Sequence, residues 1–193
     1  MSHYETSNVK NCVITGGPGV GKTTVLRELK ALGYTVVEEA ARLLIKEGVN
    51  PQTDPFWFQL EVIKQQLSLE TMAREENGAL SNNRFFDRGV FDNFAYCKFF
   101  EIISPGLLLK LAEEDSATKR YSQVFLLDPL PFYVNDAERP ETESKAREIH
   151  QLIRESYEHL GYSLVPIPVL THAKERAQYI IKKMEENNNG RML

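Results

Sequence analysis

Only two cysteines, Cys12 and Cys97, occur in the 193 residues. They are too few for a zinc site or a disulfide framework, and each sits in an apolar or aromatic run. Both read as small buried hydrophobes in a reducing compartment. No stretch approaches the ~20 apolar residues that span a bilayer. The first ten residues are polar and lack the apolar core of a signal peptide. A cytoplasmic protein without a transmembrane segment is therefore expected. Charge of one sign is also scarce: the net charge of -4 gives no global pull toward nucleic acid or an anionic membrane. There is no internal repeat and no linker-like stretch. Apolar residues at 42% and charged residues at 26% are ordinary for a globular chain. The length suits one domain, 1–193.

What is present is an alternation of short apolar strands and longer helical patterns. Residues 11–15 are apolar and rich in β-branched side chains, which predicts a buried strand. Val25, Leu26, Leu29 and Leu32 then recur at helical spacing, with Gly33 as the stop. Further strands are expected at 34–37, 84–86, 123–127 and 164–167, the last at a sheet edge because it contains Pro166. Between them helices are expected at 38–47, 55–76, 90–100, 104–118 and 143–160, with a final one at 173–186. Asp54 precedes Pro55 as an N-cap before a first-turn proline. Strand–helix units repeated about five times imply an α/β fold with a parallel sheet covered on both faces. Ligands in such sheets bind beyond the carboxyl ends of the strands.

The sharpest signal follows the first strand. Gly16-Gly17-Pro18-Gly19-Val20-Gly21-Lys22-Thr23 fits G-x-x-x-x-G-K-[ST] at every fixed position, with a strand before it and a helix after it. Glycines let the backbone turn tightly and aim successive N–H groups at phosphate oxygens. The helix start adds the positive end of its dipole. Lys22 is expected to reach the β- and γ-phosphates of ATP or GTP, and the Thr23 hydroxyl to ligate Mg²⁺.

Other polar groups also fall just after strands. Asp87 ends the third strand, where a metal-organising carboxylate belongs in a P-loop fold; the bland alternative is a helix cap. Arg88 is a fixed cation beside it, suited to a substrate anion or to a surface ion pair. Glu39 and Arg42 lie one helical turn apart after the second strand. Glu39 there suits a general base for a hydroxyl proton, or merely an i,i+3 ion pair with Arg42. Asp92, one turn beyond Arg88, suits a substrate hydroxyl or a solvated face. Arg139 stands in a segment between the fourth strand and a charged helix, where a closing lid would carry an arginine; Arg147 reads as a solvated face. The aromatic runs at 56–58 and 91–100 read mostly as packing, with some rings bordering an acceptor pocket. None of the four histidines stands at catalytic or metal spacing from a partner; His172 is the one worth watching.

Several stretches together are familiar: GGPGVGKTT at 16–24, VEEAAR at 37–42, FFDRGVFDNFAYC at 86–97, VFLLDPLP at 124–131, AERPE at 137–141 and PVLTHAKERAQYI at 168–180. The chain resembles the AAA_28-type P-loop kinase-like ATPases. That group includes the ribosylnicotinamide kinase domain of bacterial NadR and the Ttd14-like nucleotide-binding proteins. The resemblance implies a nucleoside-kinase-like five-stranded parallel sheet of order 2-3-1-4-5, with a helical insert at about 51–80 and a lid at about 129–145. It implies a nucleotide at Gly16 to Thr24, with Arg176 near the purine and Arg139 as lid arginine. It places an acceptor near Glu39, Arg42, Arg88 and Asp92. Asp136-Ala-Glu-Arg139 departs from the Asp-Gly that often precedes the lid arginine. With no adenylyltransferase domain ahead of the P-loop, a bifunctional NadR-like protein is not expected.

Two functions fit these residues. One is a kinase passing the γ-phosphoryl to a small nucleoside-like hydroxyl, with Glu39 or Asp87 taking the hydroxyl proton. The other is a nucleotide-dependent binding module or slow NTPase switch that recognises a protein or phosphoinositide partner. The chain has no Asn-Lys-x-Asp guanine motif, which weakens a Ras-type GTPase. The acidic balance weakens a nucleic-acid end kinase, so no nucleic-acid partner is expected. A kinase needs a closed cavity between Glu39 and Arg88; a switch does not.

Overall fold

The computed structural model describes residues 9–75, 83–131 and 142–189. Among them, five strands run β1 Asn11–Thr15, β2 Thr35–Val37, β3 Arg84–Asp87, β4 Gln123–Leu127 and β5 Leu164–Ile167. Seven helices connect or flank them: α1 Lys22–Ala31, α2 Ala40–Lys46, α3 Pro55–Glu75, α4 Asp92–Phe99, α5 Gly106–Ala117, α6 Glu143–His159 and α7 Ala173–Asn189. The sheet order is β2-β3-β1-β4-β5, and every pairing is parallel. This is the order that the resemblance implied. Pro166 does sit in an edge strand, paired on one side only, with Leu126.

Parallel strands covered on both faces are apolar at successive positions, and the two faces divide the core here. Cys12, Ile14, Phe85, Phe125 and Leu127 point to one side and pack with α1 and α7 through Val25, Leu29, Ala177 and Ile180. Val13, Phe86, Val124 and Leu126 point to the other and pack with α3 to α6 through Ile63, Ala95, Leu108, Ile149 and Tyr157. Burial pushes the Cys12 thiol up to about 12 and the Cys97 thiol up to about 11, so both behave as packing groups.

The local signals act as expected, with two exceptions. Asp54 Oδ1 accepts from Trp57 N at 2.9 Å and caps α3. Gly33, at φ 88°, ends α1, and Tyr34 N bonds back to Leu29 O. Leu32, read as part of the apolar stripe, turns outward at the helix end instead. In the 56–58 run only Phe58 is buried; Trp57 is 52% exposed with the Lys64 ammonium 5.0 Å from its ring centre. Phe56 and Trp57, which read as packing, are therefore on the surface, because α3 turns only one stripe inward. Among the described residues, no helix is long and apolar enough to cross a membrane.

Candidate active site

β1 lies between β3 and β4, so its carboxyl end is where the chain's crossovers diverge and a crevice opens. The loop from Gly16 to Gly21 leaves β1 there and enters α1. Gly16, Gly19 and Gly21 have φ of 137°, 75° and 85°, which side chains rarely adopt. Gly17 is required for a different reason. A Cβ on it would lie 2.5 Å from the Ala146 carbonyl oxygen on α6. Lys22 is buried, and its Nζ donates to Gly16 O at 3.0 Å and Gly17 O at 2.9 Å. Thr23 and Thr24 are exposed at the start of α1.

Arg88 joins this loop to the neighbouring strands. Its Nε donates to Glu39 Oε1 at 2.8 Å, and its Nη1 donates to Asp92 Oδ1 and Gly16 O, both at 3.1 Å. Its ring neighbour is Tyr96, 5.3 Å away by centroid. Burial alone would lower the Arg88 pKa, but Tyr96, Glu39, Asp92 and Asp87 together hold it well above the ordinary arginine value. Its backbone sits at φ 71°, a left-handed conformation that costs a non-glycine residue about 1–2 kcal/mol. Arg88 N donates to Ile14 O, and Gln66 Nε2 donates to Arg88 O, which fix that conformation.

Asp92 does not lie on a solvated face; it is buried in the wall of a pocket. It is 2% exposed, and Oδ1 accepts from Thr15 Oγ1 as well as from Arg88. Its Oδ2 accepts from Gly89 N at 3.0 Å and from the Tyr157 hydroxyl at 2.7 Å. Burial and the Asp92 carboxylate raise the Tyr157 pKa well above normal, so that hydroxyl remains a donor. Arg42 pairs with Glu39 at 3.7 Å and is partly exposed. Asp87 is buried at the end of β3, in register with Ile14 of β1. Arg176 lies behind the loop: Nη1 donates to Val20 O, and Nη2 to Asp128 O and Ile167 O. Arg139 lies outside the described residues, as does most of the 129–145 lid segment.

The donor set fits Mg²⁺ better than a structural metal. No cluster of three or more His, Cys, Asp or Glu exists among the described residues. A hydroxyl and a carboxylate near a phosphate cradle are what Mg²⁺ takes, the rest of its shell being water and phosphate.

One residue was missed from sequence. His150 of α6 is buried, and its Nδ1 accepts from Gly17 N at 3.2 Å. Burial, with the Arg154, Lys22 and Arg88 charges, lowers its pKa to about 4. The available signal was its place in the stripe Ala146, Ile149, His150, Ile153, Tyr157, all buried. His172 is exposed at the start of α7; its backbone N–H donates to Glu175 Oε2, and its carbonyl accepts from Glu175 N and Arg176 N. A histidine whose folded pKa lies below its usual 6.5 favours folding when neutral. That contribution is present above about pH 6.5 and is lost as pH falls toward 4. Between pH 7 and 5 the protein is expected to lose more stability than a His150→Gln variant, as read by urea midpoints. Equal losses would show that His150 is not held neutral.

A family model for an AAA domain, AAA_28, matches residues 11–176. The chain belongs to the AAA_28 family. Solved structures share the fold at low identity. A NadR protein in complex with NR superposes with TM-score 0.68 at 19% identity, over 92% of this chain and 49% of that one. The chain thus spans about half the length of that NadR protein. Thymidylate kinase from Candida albicans gives TM-score 0.64 at 15% identity, covering 94% of this chain and 93% of the other. Deoxyadenosine kinase from M. mycoides gives 0.59 at 16%, covering 91% and 99%. No match was found among curated protein sequences. The family and these neighbours make it a P-loop chain of nucleoside- and nucleotide-kinase-like fold.

Proposed function

We propose that the chain is a phosphotransferase that moves the γ-phosphoryl of ATP or GTP to a hydroxyl on a small nucleoside-like acceptor. The observation that carries this reading is a pocket beside the P-loop, with a volume of about 100 Å³. Glu39, Arg88 and Asp92 line it together with Phe58, Tyr96 and Phe100. A switch has no need of such a cavity next to its phosphate cradle.

The charges of the wall narrow the acceptor. Among the described lining residues the only cation is Arg88, and its guanidinium is matched by Glu39 and Asp92. No spare cation remains there for a carboxylate or phosphate on the acceptor. A neutral or cationic nucleoside fits better than a nucleoside monophosphate or a hydroxy acid.

In this reading the Gly16–Thr24 loop and Lys22 bind and orient the phosphates. Arg176 holds that loop from behind, on the nucleotide side, through Val20 O. Thr23 and Asp87 would hold Mg²⁺, which supplies charge neutralisation on the β- and γ-phosphate oxygens. Glu39, aimed by Arg88, takes the acceptor hydroxyl proton. Arg42 and Asp92 keep Glu39 and Arg88 in place. Arg139 is assigned to the lid, where it would neutralise charge on the transferring group.

The test is ³¹P NMR of the protein with Mg²⁺ and ATP or GTP, with and without nucleosides that include nicotinamide riboside. A new phosphomonoester signal that requires one acceptor is expected. Slow phosphate release that no acceptor changes would overturn this reading in favour of a switch.

A further inference from the structure

The turn Arg88-Gly89-Val90, which carries the Arg88 guanidinium, is gripped from behind by another buried charge. Glu70 of α3 is 1% exposed and does not line the acceptor pocket. Its Oε1 accepts from the Tyr121 hydroxyl at 2.6 Å and from Gln66 Nε2 at 3.2 Å, and its Oε2 accepts from Arg120 Nε at 2.8 Å. Tyr121, just ahead of β4, is also buried. Burial beside Glu70 raises its pKa well above normal, so its one proton stays on the hydroxyl and is given to the carboxylate. The hydroxyl oxygen then accepts from Val90 N at 2.7 Å. Gln66 Nε2 also reaches Arg88 O. Hydrogen bonds thus run from Glu70 to the peptide groups on both sides of Gly89.

This grip acts where the backbone is strained. Arg88 sits at φ 71°, and a return to the ordinary negative range would re-aim its Cα–Cβ bond and the guanidinium with it. Gly89 leaves no slack beside it. A Cβ there would lie 2.5 Å from the Tyr157 hydroxyl oxygen and 2.8 Å from the Tyr121 ring. The Arg88 fork reaches Glu39, Asp92 and Gly16 O together, so the direction of the arginine sets where the Glu39 carboxylate is held.

We propose that Glu70 and Tyr121 are positioning residues: they hold Arg88 in its left-handed form and thereby set the direction in which it presents Glu39 to the acceptor. A buried carboxylate is a poor source of stability, since apolar side chains of the same volume often serve as well. What the charge supplies here is one fixed geometry for the turn. The bearing of that geometry on turnover rests on the phosphotransferase reading, but the hold on Arg88 can be measured without turnover.

The ¹H–¹⁵N signal of Arg88 Nε–H is followed in the full chain, assigned through its nuclear Overhauser contacts with the Tyr96 ring. In the unaltered protein it is expected to exchange slowly with water, because Glu39 holds it. Tyr121→Phe removes one hydroxyl and keeps the ring. It is expected to shift this signal and to speed its exchange by about tenfold relative to the buried amides of α1 and α7. A merely structural hydroxyl would speed all of them alike, through global opening. Glu70→Gln, which keeps the shape and removes the charge, is expected to change the signal in the same way and covers the case in which the phenylalanine variant fails to fold. With Mg·ATP and adenosine, thymidine or nicotinamide riboside, kcat is expected to fall about tenfold or more in these variants, while KM for ATP stays within about twofold. An Arg88 signal unchanged in the folded variants, or one that moves while kcat stays intact, overturns the assignment. No transfer by the unaltered protein to any of these acceptors would overturn the phosphotransferase reading. A moved Arg88 signal would then leave the hold of Glu70 and Tyr121 on Arg88 standing.

Discussion

Lys22→Ala is expected to lower nucleotide turnover by about 10²-fold or more while the protein stays folded. The side chain is buried against the loop, and its ammonium spans the carbonyls of Gly16 and Gly17. When phosphate is bound, the same ammonium is the one positive side chain that the loop itself carries. Removing it takes away charge stabilisation where the transferring group develops charge, in a site shielded from water. The cost to folding is smaller. Gly16 O keeps its bond from Arg88, and only Gly17 O loses its donor, a loss of about 1 kcal/mol. Phosphate release, with thermal denaturation as the folding control, checks both parts. A folded variant with full turnover would remove Lys22, and with it the P-loop, from the chemistry.

The phosphate cradle was legible because its chemistry is local: eight consecutive residues, with a strand before and a helix after. Strand and helix positions were legible for a related reason, since apolar periodicity reports on one element at a time. What could not be read was pairing across the chain. Glu39 looked like the partner of Arg42, one turn away, and it is. Its shorter contact is with Arg88, which is 49 positions distant and becomes a neighbour only because β2 and β3 pair. Asp92 looked like a surface or substrate group. It is buried in the pocket wall, where four donors from three segments, Thr15, Arg88 and Gly89, and Tyr157, hold it. His150 was passed over because no partner lies near it in sequence. Its partner is a backbone N–H of the P-loop, which no side-chain pattern can announce.

Arg88→Ala is expected to destabilise the protein by about 3–5 kcal/mol and to abolish phosphoryl transfer. Glu39 and Asp92 are 4% and 2% exposed, and Arg88 is bonded to both. Removing the guanidinium leaves two carboxylates close together in a buried wall, where each desolvates and repels the other. The substitution also detaches β3 from the loop, because the bond from Nη1 to Gly16 O disappears. Lysine does not replace it: one ammonium cannot present the planar fork that reaches Glu39, Asp92 and a carbonyl at once. The source of the loss can be isolated. If unpaired charge dominates, adding Glu39→Gln to Arg88→Ala removes one stranded carboxylate and restores part of the stability. If lost packing dominates, the second change only adds to the first. Urea denaturation of the two single variants and the double variant separates these outcomes. Stability of Arg88→Ala within about 1 kcal/mol of the unaltered protein would show that the ion pairs do not hold this wall together. In the phosphotransferase reading, activity should stay lost in the double variant even where stability returns. The carboxamide introduced by Glu39→Gln cannot accept the hydroxyl proton, and the Arg88 bond from the acceptor pocket to Gly16 O is also gone.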